Sequence, residues 1–425
     1  MSAIGVTFIV MLVLGAPIAF VIGISLFAYF AWTGQWMFLL VMPQRMFAGG
    51  DTFVLLAIPL FILAGNIMEV GGLTHRLLAF AKVCVGRFTG GVSLTAIWSS
   101  LLFGGVSGSA AADAAALGSV LIPEMKREGY NTNYAAALMS MSSIMAPLIP
   151  PSISMVIYGA LSQTSIAKLF IGGIVPGILM AVILTIYAIW VARRRGYPRH
   201  APPTGSEFLW ASIHVIPVMV LPVIIVVGIR GGVFTPTEAA AVASLYAFVA
   251  SGLLYRSLTL TKIRAALLNT ALLTAAIYML VAMANVSSFI FAREKLPEHV
   301  VSALFSISEN PVIVLLLVNL ILLMLGMVLD AAAVLILTVP ALVGIGQALG
   351  MDPVHLGVMV VFNVLIGFVT PPVGLCLFIV SSVARTRIDQ VAWHALPMLG
   401  LALLLLLLIA FVPQVVLFLP NLMVK

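Results

Sequence analysis

Residues 141–159 read MSSIMAPLIPPSISMVIYG, a stretch that is apolar enough for a lipid bilayer yet contains three prolines and four serines. A proline has no backbone N–H and clashes with the preceding helical turn, so Pro150-Pro151 predicts the end of a helix that begins near Tyr134. The backbone groups freed by this break cannot face lipid, because no water satisfies them there. We therefore expect a re-entrant hairpin at about 134–160, with its tip buried in protein or lining a wet cavity.

A second stretch repeats this design in the other half of the chain. Residues 362–382 read FNVLIGFVTPPVGLCLFIVSS, again with adjacent prolines inside an apolar run. They predict a second re-entrant hairpin at about 353–383. Interrupted segments in corresponding positions of two halves are typical of transporters whose ion and solute sites lie at the breaks.

The composition sets the broad class. Of the 425 residues, 63% are hydrophobic and 8% are charged, whereas a soluble domain has about 25% charged residues. At about 20 apolar residues per span, the chain is predicted to be an all-α polytopic membrane protein with roughly a dozen membrane segments. The net charge of +7 comes from short loops between apolar runs, which favours cytoplasmic loops over a face that binds nucleic acid.

A longer internal repeat accompanies the two stretches. Asp113 and Asp330 each open an Asp-Ala-Ala-Ala run, and a proline follows each run at the same spacing. The proline pairs of the two stretches lie slightly further apart in the chain than the two aspartates do, which predicts two blocks joined by one four-residue insertion or deletion. We expect two inverted repeats, residues 1–200 and 201–425, each with scaffold helices, an amphipathic arm, a broken helix and a hairpin.

The residues at these breaks offer hard oxygen ligands. Hydroxyl groups and the free carbonyls of interrupted helices can replace the water shell of an alkali cation, and helix N-termini favour an anionic solute group. Two similar pockets indicate at least two sodium ions. The predicted sodium ligands are Ser107, Gly108, Ser109, Ser142, Ser143 and Pro147 in the first half, and Gly326, Met327, Asn363, Gly367 and Thr370 in the second. The residues predicted to contact the solute are Pro150, Pro151, Ser152, Pro371, Pro372 and Gly374.

Some of these residues have a second interpretation. A buried hydroxyl in a membrane helix often bonds only to its own backbone, so the serines either ligate sodium or satisfy the break itself. Asp113 and Asp330 are candidates for ion coordination or proton transfer. An aspartate directly before Ala-Ala-Ala also suits a helix start, so a role as helix cap, or in orienting the groups that bind the ion, is favoured.

No motif in the sequence indicates an enzyme. We find no glycine-rich phosphate loop, no Ser/His/Asp arrangement and no spacing typical of a metal site, and the six histidines follow no common pattern. The prediction is a transport protein without a cofactor, with Na⁺ as its coupling ion.

Several stretches together resemble the large membrane subunit (M, DctM-like) of tripartite ATP-independent periplasmic (TRAP) transporters. The resemblance covers nearly the whole chain. The matching stretches are LLAIPLFILAGNIM at 55–68, FGGVSGSAAADAAALGSVLIPEM at 103–125, MAPLIPPSISMVIYG at 145–159, FTPTEAAAVASLYA at 234–247 and GFVTPPVGLCLF at 367–378.

The resemblance implies a sodium-coupled symporter of the bacterial inner membrane that imports an organic acid, of the C4-dicarboxylate or sialic acid type, by an elevator mechanism. It implies two partners, a small four-helix membrane subunit (Q) and a periplasmic solute-binding protein (P). Because the chain begins directly with the large-subunit pattern, the small subunit is expected to be a separate polypeptide. When the sodium sites of the family are placed on the matching motifs, Ser107–Ser109 and residues 142–151 together form one site. Gly326–Asp330 and residues 363–372 form the other.

Three alternatives compete with this interpretation. A stand-alone sodium/divalent-anion symporter has a similar architecture and needs no binding protein, but such proteins carry Ser-Asn-Thr at both tips, and this chain does not. An ABC permease would explain the Glu-Ala-Ala sequence that begins at Glu238, but the glycine of its coupling motif is missing. A passive channel would transport without a sodium gradient.

Overall fold

A computed structural model describes residues 2–423 of the chain. Twenty α-helices and no β-strand occur within this range, which confirms the all-α prediction. The first half contains α1 (Ser2–Val13), α2 (Ile18–Thr33), α3 (Phe38–Gly50), α4 (Ala57–Val70), α5 (Leu73–Val85), α6 (Gly91–Ser107), α7 (Ala110–Arg127), α8 (Thr132–Ser143), α9 (Ile153–Ser162) and α10 (Ile166–Arg195). The second half contains α11 (Gly205–Arg230), α12 (Pro236–Val249), α13 (Leu260–Arg293), α14 (Leu296–Ile307), α15 (Pro311–Gly326), α16 (Ala331–Ala348), α17 (Pro353–Gly367), α18 (Leu375–Ala384), α19 (Ile388–Phe411) and α20 (Gln414–Met423).

The helices are those of a multi-pass membrane protein. Within the described residues, seven helical segments are long and apolar enough to cross a membrane, and up to nine if each of two bent pairs counts as one span. The longest, α13, has 34 residues, and at about 1.5 Å per residue it exceeds the roughly 30 Å of a hydrocarbon core. The shorter apolar helices α6 and α17 are mostly buried among the others.

The helices form two packed groups. In the first, which we call the α4 group, α4 packs against α12 and α13, α13 packs against α2 and α3, and α11 packs against α12. In the second, the hairpin group, α6, α7 and α8 pack against one another, α18 packs against α7 and α8, and α15, α16 and α17 pack against one another and against α9 or α19. The groups meet where α4 and α11 contact α6 and where α13 contacts α16.

The central contact of the α4 group is between two parallel helices. Three hydroxyl groups lie seven residues apart along α12 and its C-terminal extension. Each donates to a carbonyl of α4, or of the turn before α4, that lies 184 residues earlier in the chain. A constant offset requires that the two helices run in the same direction. The pairs are Thr237 with Phe53 (3.1 Å), Ser244 with Leu60 (2.6 Å) and Ser251 with Ile67 (3.4 Å). Fully buried alanines at Ala240, Ala243 and Ala247 let the backbones approach, as small residues do between membrane helices.

The position of the first hairpin differs from the prediction. The axes of residues 132–148 and 153–162 are bent by only 45°, so the chain continues through the Pro150-Pro151 break instead of reversing. A short 3₁₀ turn at Ala146–Leu148 carries the chain into the break. The predicted hairpin at 134–160 is therefore wrong, and α8 with α9 is a broken span.

The chain reverses one helix pair earlier. Only Gly108 and Ser109 separate α6 from α7, and the two helices pack against each other. Gly108 has a φ of +59°, a conformation that glycine adopts without the steric penalty of a Cβ. In the second half, α15 and α16 likewise pack against each other across residues 327–330, whereas α17 and α18 pack against other helices on either side of 368–374. We therefore call α6–α7 and α15–α16 the hairpins, and the predicted second hairpin at 353–383 is corrected because α17 and α18 do not pack against each other as the two helices of a hairpin would.

The register of the repeat also differs from the prediction. Helix α7 begins at Ala110 and α16 at Ala331, and these helix starts are as far apart in the chain as the two proline pairs are. Asp113 lies inside the first turn of α7, whereas Asp330 precedes α16. When the halves are aligned on these helix starts, Ser109 takes the place of Asp330, and no four-residue insertion is needed between the helix starts and the proline pairs.

Candidate functional site

The first hairpin tip lies against the break of the first broken span. A Cβ added to Gly104 would stand 2.7 Å from Cα of Ala146, and one added to Gly108 would collide with the carbonyl oxygen of Pro151. Both positions therefore require glycine for close backbone approach. The structure thus brings the predicted tip residues of α6–α7 to the predicted residues of the α8–α9 break.

The second hairpin tip meets the second break in the same way. A Cβ added to Gly367 would lie 2.6 Å from Cα of Gly326. The amide of Gly374 donates to the carbonyl of Met327 at 3.3 Å, which ties the 368–374 segment to the tip. Both proline pairs, Pro150-Pro151 and Pro371-Pro372, have cis peptide bonds.

Three helices begin at these junctions, each with a side-chain cap. The Ser109 hydroxyl accepts the amide of Ala112 at 3.4 Å at the start of α7, and the Ser152 hydroxyl accepts the amide of Met155 at 3.2 Å at the start of α9. The Asp330 carboxylate accepts the amide of Ala333 at 2.8 Å at the start of α16. These bonds satisfy backbone amides that a helix start otherwise leaves free. Asp113 caps nothing, because Ser109 holds the cap position one turn earlier.

Both hairpin tips line one cavity of about 290 Å³. Of the predicted residues, its lining contains Ser107, Gly108, Ser109, Pro147 and Asp330. The first turns of α7 and α16, at 110–112 and 331–332, complete this side. The partial positive charge at two helix N-termini therefore lies at the wall of a single space.

The remaining predicted sodium ligands lie behind this lining. Ser142, Ser143 and Asn363 are fully buried. The Ser143 hydroxyl donates to the carbonyl of Ser140 at 2.8 Å, and the Asn363 amide donates to Oδ1 of Asn319 at 2.7 Å. The Ser142 hydroxyl has no hydrogen-bond partner among the described residues. Thr370 donates to the carbonyl of Ile366 at 2.7 Å, and Gly326, Met327 and Gly367 contribute backbone to the second junction.

The residues predicted to contact the solute do not form the cavity wall. Pro150, Pro151 and Ser152 are buried behind it, and Pro372 is exposed. Pro371 and Gly374 belong to the segment that holds the second tip. Their position next to the lining indicates that they fix the tips.

The α4 group contributes to the cavity in a way that the sequence did not predict. Asn66 and Glu69 on α4 line it, as does Ser154 at the start of α9. From α13, the lining contains Leu273, Ala276, Ile277 and Leu280. The Asn66 amide donates to the Thr270 hydroxyl at 2.9 Å, which joins α4 to α13. Two polar residues three apart in an apolar helix share one face, and this spacing was the available signal.

The electrostatics of the cavity depend on backbone more than on side chains. Within the part of the chain that the structure describes, the lining includes no lysine, arginine or histidine, and its charged side chains are Glu69 and Asp330. An anionic solute would therefore find positive potential at the starts of α7 and α16, or at cations bound beside them.

A multi-pass helical protein in which two hairpin tips, each held by a helix break, meet at one cavity has the design of a membrane transporter. The sequence matches the family described as "Tripartite ATP-independent periplasmic transporter, DctM component" over residues 5–415. It is 41% identical to the sialic acid TRAP transporter large permease protein SiaM of Vibrio cholerae, covering 89% of each chain. It is 35% identical to the C4-dicarboxylate TRAP transporter large permease protein DctM of the same organism, covering 97% of this chain and 96% of the relative.

The chain belongs to the DctM family of TRAP transporters, which confirms the resemblance. It is a multi-pass protein of the bacterial inner membrane. Its fold is similar to that of the Alcanivorax borkumensis YdaH transporter, with a TM-score of 0.60, 15% identity and 89% of each chain covered.

Proposed function

We propose that this chain is the large permease subunit of a sodium-coupled importer of organic acids. The observation that carries the proposal is the shared cavity, in which two hairpin tips and the first turns of α7 and α16 meet. Such a cavity offers oxygen ligands for a cation and helix N-termini for a carboxylate at the same place. Sodium is cargo in this mechanism and enters with the solute.

Anion binding without a basic side chain is an argument for sodium coupling. The lining places Glu69 and Asp330 in the same space as the solute, and two carboxylates repel an organic anion. Cations bound at the tips offset that repulsion, so the solute binds better after sodium than before it. The change in solute affinity that bound sodium causes is a coupling free energy. Bound solute must change the sodium affinity by the same factor.

The substrate class follows from the relatives and from the size of the cavity. The similar proteins are named as permeases for sialic acid and for C4-dicarboxylates, both carboxylates. The cavity of about 290 Å³ is at the lower end of ligand pockets, which span roughly 300–1,000 Å³. We propose a small organic acid that presents its carboxylate to the start of α7 or α16.

Two partners belong to the proposal. TRAP transporters are tripartite, so a periplasmic solute-binding protein (P) delivers the acid and a small four-helix membrane subunit (Q) joins the permease. The α4 group fits the role of a scaffold, and the hairpin group fits the role of the moving part in an elevator mechanism. Both hairpin tips and both breaks lie within the hairpin group, so the solute and its ions would move as one unit.

Reconstitution tests the function directly. The permease, with its small subunit, is placed in liposomes, and uptake of labelled sialic acid and of a labelled C4-dicarboxylate is measured with the cognate binding protein outside. We expect uptake of one of them only with an inward sodium gradient and the binding protein. Uptake that persists in choline without sodium would point to a channel. Uptake that persists without the binding protein would point to a stand-alone symporter, and either result contradicts the proposal.

A further inference from the structure

The interior of the hairpin group contains a carboxylate that the proposed cavity does not use. Asp113 is 0% exposed, and neither of its carboxylate oxygens has a hydrogen-bond partner among the described residues. No salt bridge within that range involves it. It lies one helical turn beyond Ser109 in α7, about 6 Å further along the helix axis, and is absent from the cavity lining.

The neighbours of Asp113 come from the helices that pack around α7. The Ser100 hydroxyl of α6 faces the carboxylate without reaching hydrogen-bonding geometry. Cys376 of α18 is close enough to feel its charge, and the Ser143 hydroxyl of α8 faces that thiol. A hydroxyl of α6 and a thiol of α18 thus lie near the carboxylate, and no salt bridge among the described residues reaches it.

A buried carboxylate in this environment needs a positive partner. Leaving a charge in a low-dielectric interior without a partner costs several kcal/mol. The group must therefore bind either a cation or a proton. Hydroxyl and carboxylate oxygens are the ligands of hard cations, and one carboxylate balances one monovalent charge, whereas Ca²⁺ takes 6–8 oxygen ligands at its sites.

A comparison of the two halves distinguishes the Asp113 position from the two hairpin tips. The offset that relates the start of α7 to the start of α16 puts Val334 opposite Asp113. The second half therefore has an apolar side chain where the first has a buried carboxylate. The carboxylate belongs to one half only, whereas the tips occur in both.

We propose that Asp113 and Ser100 bind a monovalent cation, Na⁺ as the ion to test, at the junction of α6, α7, α8 and α18. The inference rests on the proposed function only for the identity of the ion. A cation here stabilises the packing of α18, from the second half, against the α6–α7 hairpin of the first. Its binding therefore fixes the hairpin group as one body before solute arrives.

Sodium binding to the purified full-length chain tests the site. The number of bound ²²Na⁺ ions per chain is measured at saturation, and the sodium dependence of the thermal unfolding temperature is measured with choline balancing the ionic strength. We expect Asp113→Asn, which keeps the shape and removes the charge, to bind one sodium ion fewer than the unmodified chain. In sodium-free buffer its unfolding temperature should equal or exceed that of the unmodified chain.

A second variant keeps the test valid if Asp113→Asn does not fold. Ser100→Ala removes one neutral oxygen ligand and should weaken sodium binding at this site roughly ten- to a hundredfold, because a polar group loses more when its partner is charged than when it is neutral. Ser93→Ala is the matched control, because Ser93 is a buried serine of the same helix that faces Tyr130 and Tyr134. It should leave the sodium affinity unchanged.

The outcomes separate this inference from the proposed function. If the unmodified chain binds sodium and Asp113→Asn binds the same number of ions with the same affinity, the carboxyl holds a proton and the inference is wrong, while sodium coupling stands. If the unmodified chain binds no sodium, the proposed function fails together with it. Loss of one ion in Asp113→Asn with uptake still dependent on sodium supports both.

Discussion

At the residue scale, glycines decide whether the tips reach the breaks. Gly108 combines a φ of +59° with a backbone contact at the Pro151 carbonyl. An alanine there would have both an unfavourable backbone conformation and a steric collision. The first effect alone is worth about 1 kcal/mol, while the second moves the α6–α7 tip away from the α8–α9 break.

We expect Gly108→Ala to abolish sodium-dependent uptake, because the tip no longer packs on the break. Gly129→Ala is the matched control, since Gly129 has a φ of +81° but no atom within 4 Å of an added Cβ. It should lower the free energy of unfolding by about 1 kcal/mol and leave uptake intact. Thermal unfolding and proteoliposome uptake measured side by side decide the point, and equal loss of uptake in both variants would contradict it.

Asp330 has two roles that substitution can separate. It caps α16 through the Ala333 amide and also lines the cavity. Asparagine caps a helix as well as aspartate, whereas alanine costs about 0.5–2 kcal/mol. We therefore expect Asp330→Ala to be destabilised by about 1 kcal/mol, and Asp330→Asn to unfold at the temperature of the unmodified protein.

Asp352 provides the control for this pair. It caps α17 by accepting the amide of Val354 at 2.8 Å but does not line the cavity. Asp352→Ala should lose a similar amount of stability without a change in the sodium concentration that half-saturates uptake. A shift of that concentration in Asp330→Asn but not in Asp352→Ala would assign the Asp330 charge to the transport site, and an unchanged value would limit Asp330 to its cap.

At the scale of helices, the α4–α12 pair depends on small residues and donated hydroxyls. Ala240 is fully buried, whereas its neighbour Ala241 is exposed on the other face of α12. We expect Ala240→Leu to force the parallel helices apart and to destabilise the protein by about 1–3 kcal/mol, the usual cost of overpacking. Ala241→Leu adds the same volume on the exposed face and should change the unfolding temperature little. Equal effects of the two would show that this contact does not limit stability.

The sequence predicted where helices stop more reliably than how the chain turns there. Adjacent prolines remove two backbone donors in a row, so the breaks near Pro150 and Pro371 could be predicted, whereas single prolines such as Pro176 and Pro217 lie inside helices. The direction in which the chain continues after a break depends on tertiary contacts. No local sequence feature distinguishes the observed 45° bend from a full reversal. The chain reverses instead at Gly108 and Ser109, a two-residue connection within the segment that was predicted as the broken helix of the first half.

The register error has a related cause. Two Asp-Ala-Ala-Ala runs suggested equivalent aspartates, yet the structure matches Ser109 with Asp330 because both accept an amide at a helix start. Serine and aspartate cap a helix equally well. Equivalent cap positions in the two halves can therefore hold different residue types. The spacing of Asn66 and Glu69 indicates a polar face on α4, but it does not say which helices that face meets, because the contact with the tips depends on packing between distant segments.

At the scale of the whole molecule, the two groups of helices meet at contacts of α4, α11 and α13 with α6, α9 and α16. One of these contacts is between α6, the first helix of the α6–α7 hairpin, and α11 in the α4 group. A Cβ added to Gly105 would lie 3.3 Å from Cβ of Pro222, close to the roughly 3.5–4.5 Å of a disulfide. If the hairpin group moves as one body, a covalent link at this point must stop it.

We therefore expect a disulfide in Gly105→Cys/Pro222→Cys, made in a chain with Cys84 and Cys376 replaced by alanine, to abolish uptake, and reduction to restore it. The control pair Gly49→Cys/Asn285→Cys lies within the α4 group, where an added Cβ on Gly49 would be 2.7 Å from Cβ of Asn285. Its disulfide joins α3 to α13 and should leave uptake unchanged, because those helices do not move relative to each other. Uptake is measured in oxidised and reduced proteoliposomes, with cross-linking confirmed by gel mobility. With that bond in place, no motion of the hairpin group could carry the cavity past α11. Full uptake by the oxidised Gly105/Pro222 pair would therefore mean that the two groups stay fixed during transport, and it would exclude an elevator mechanism.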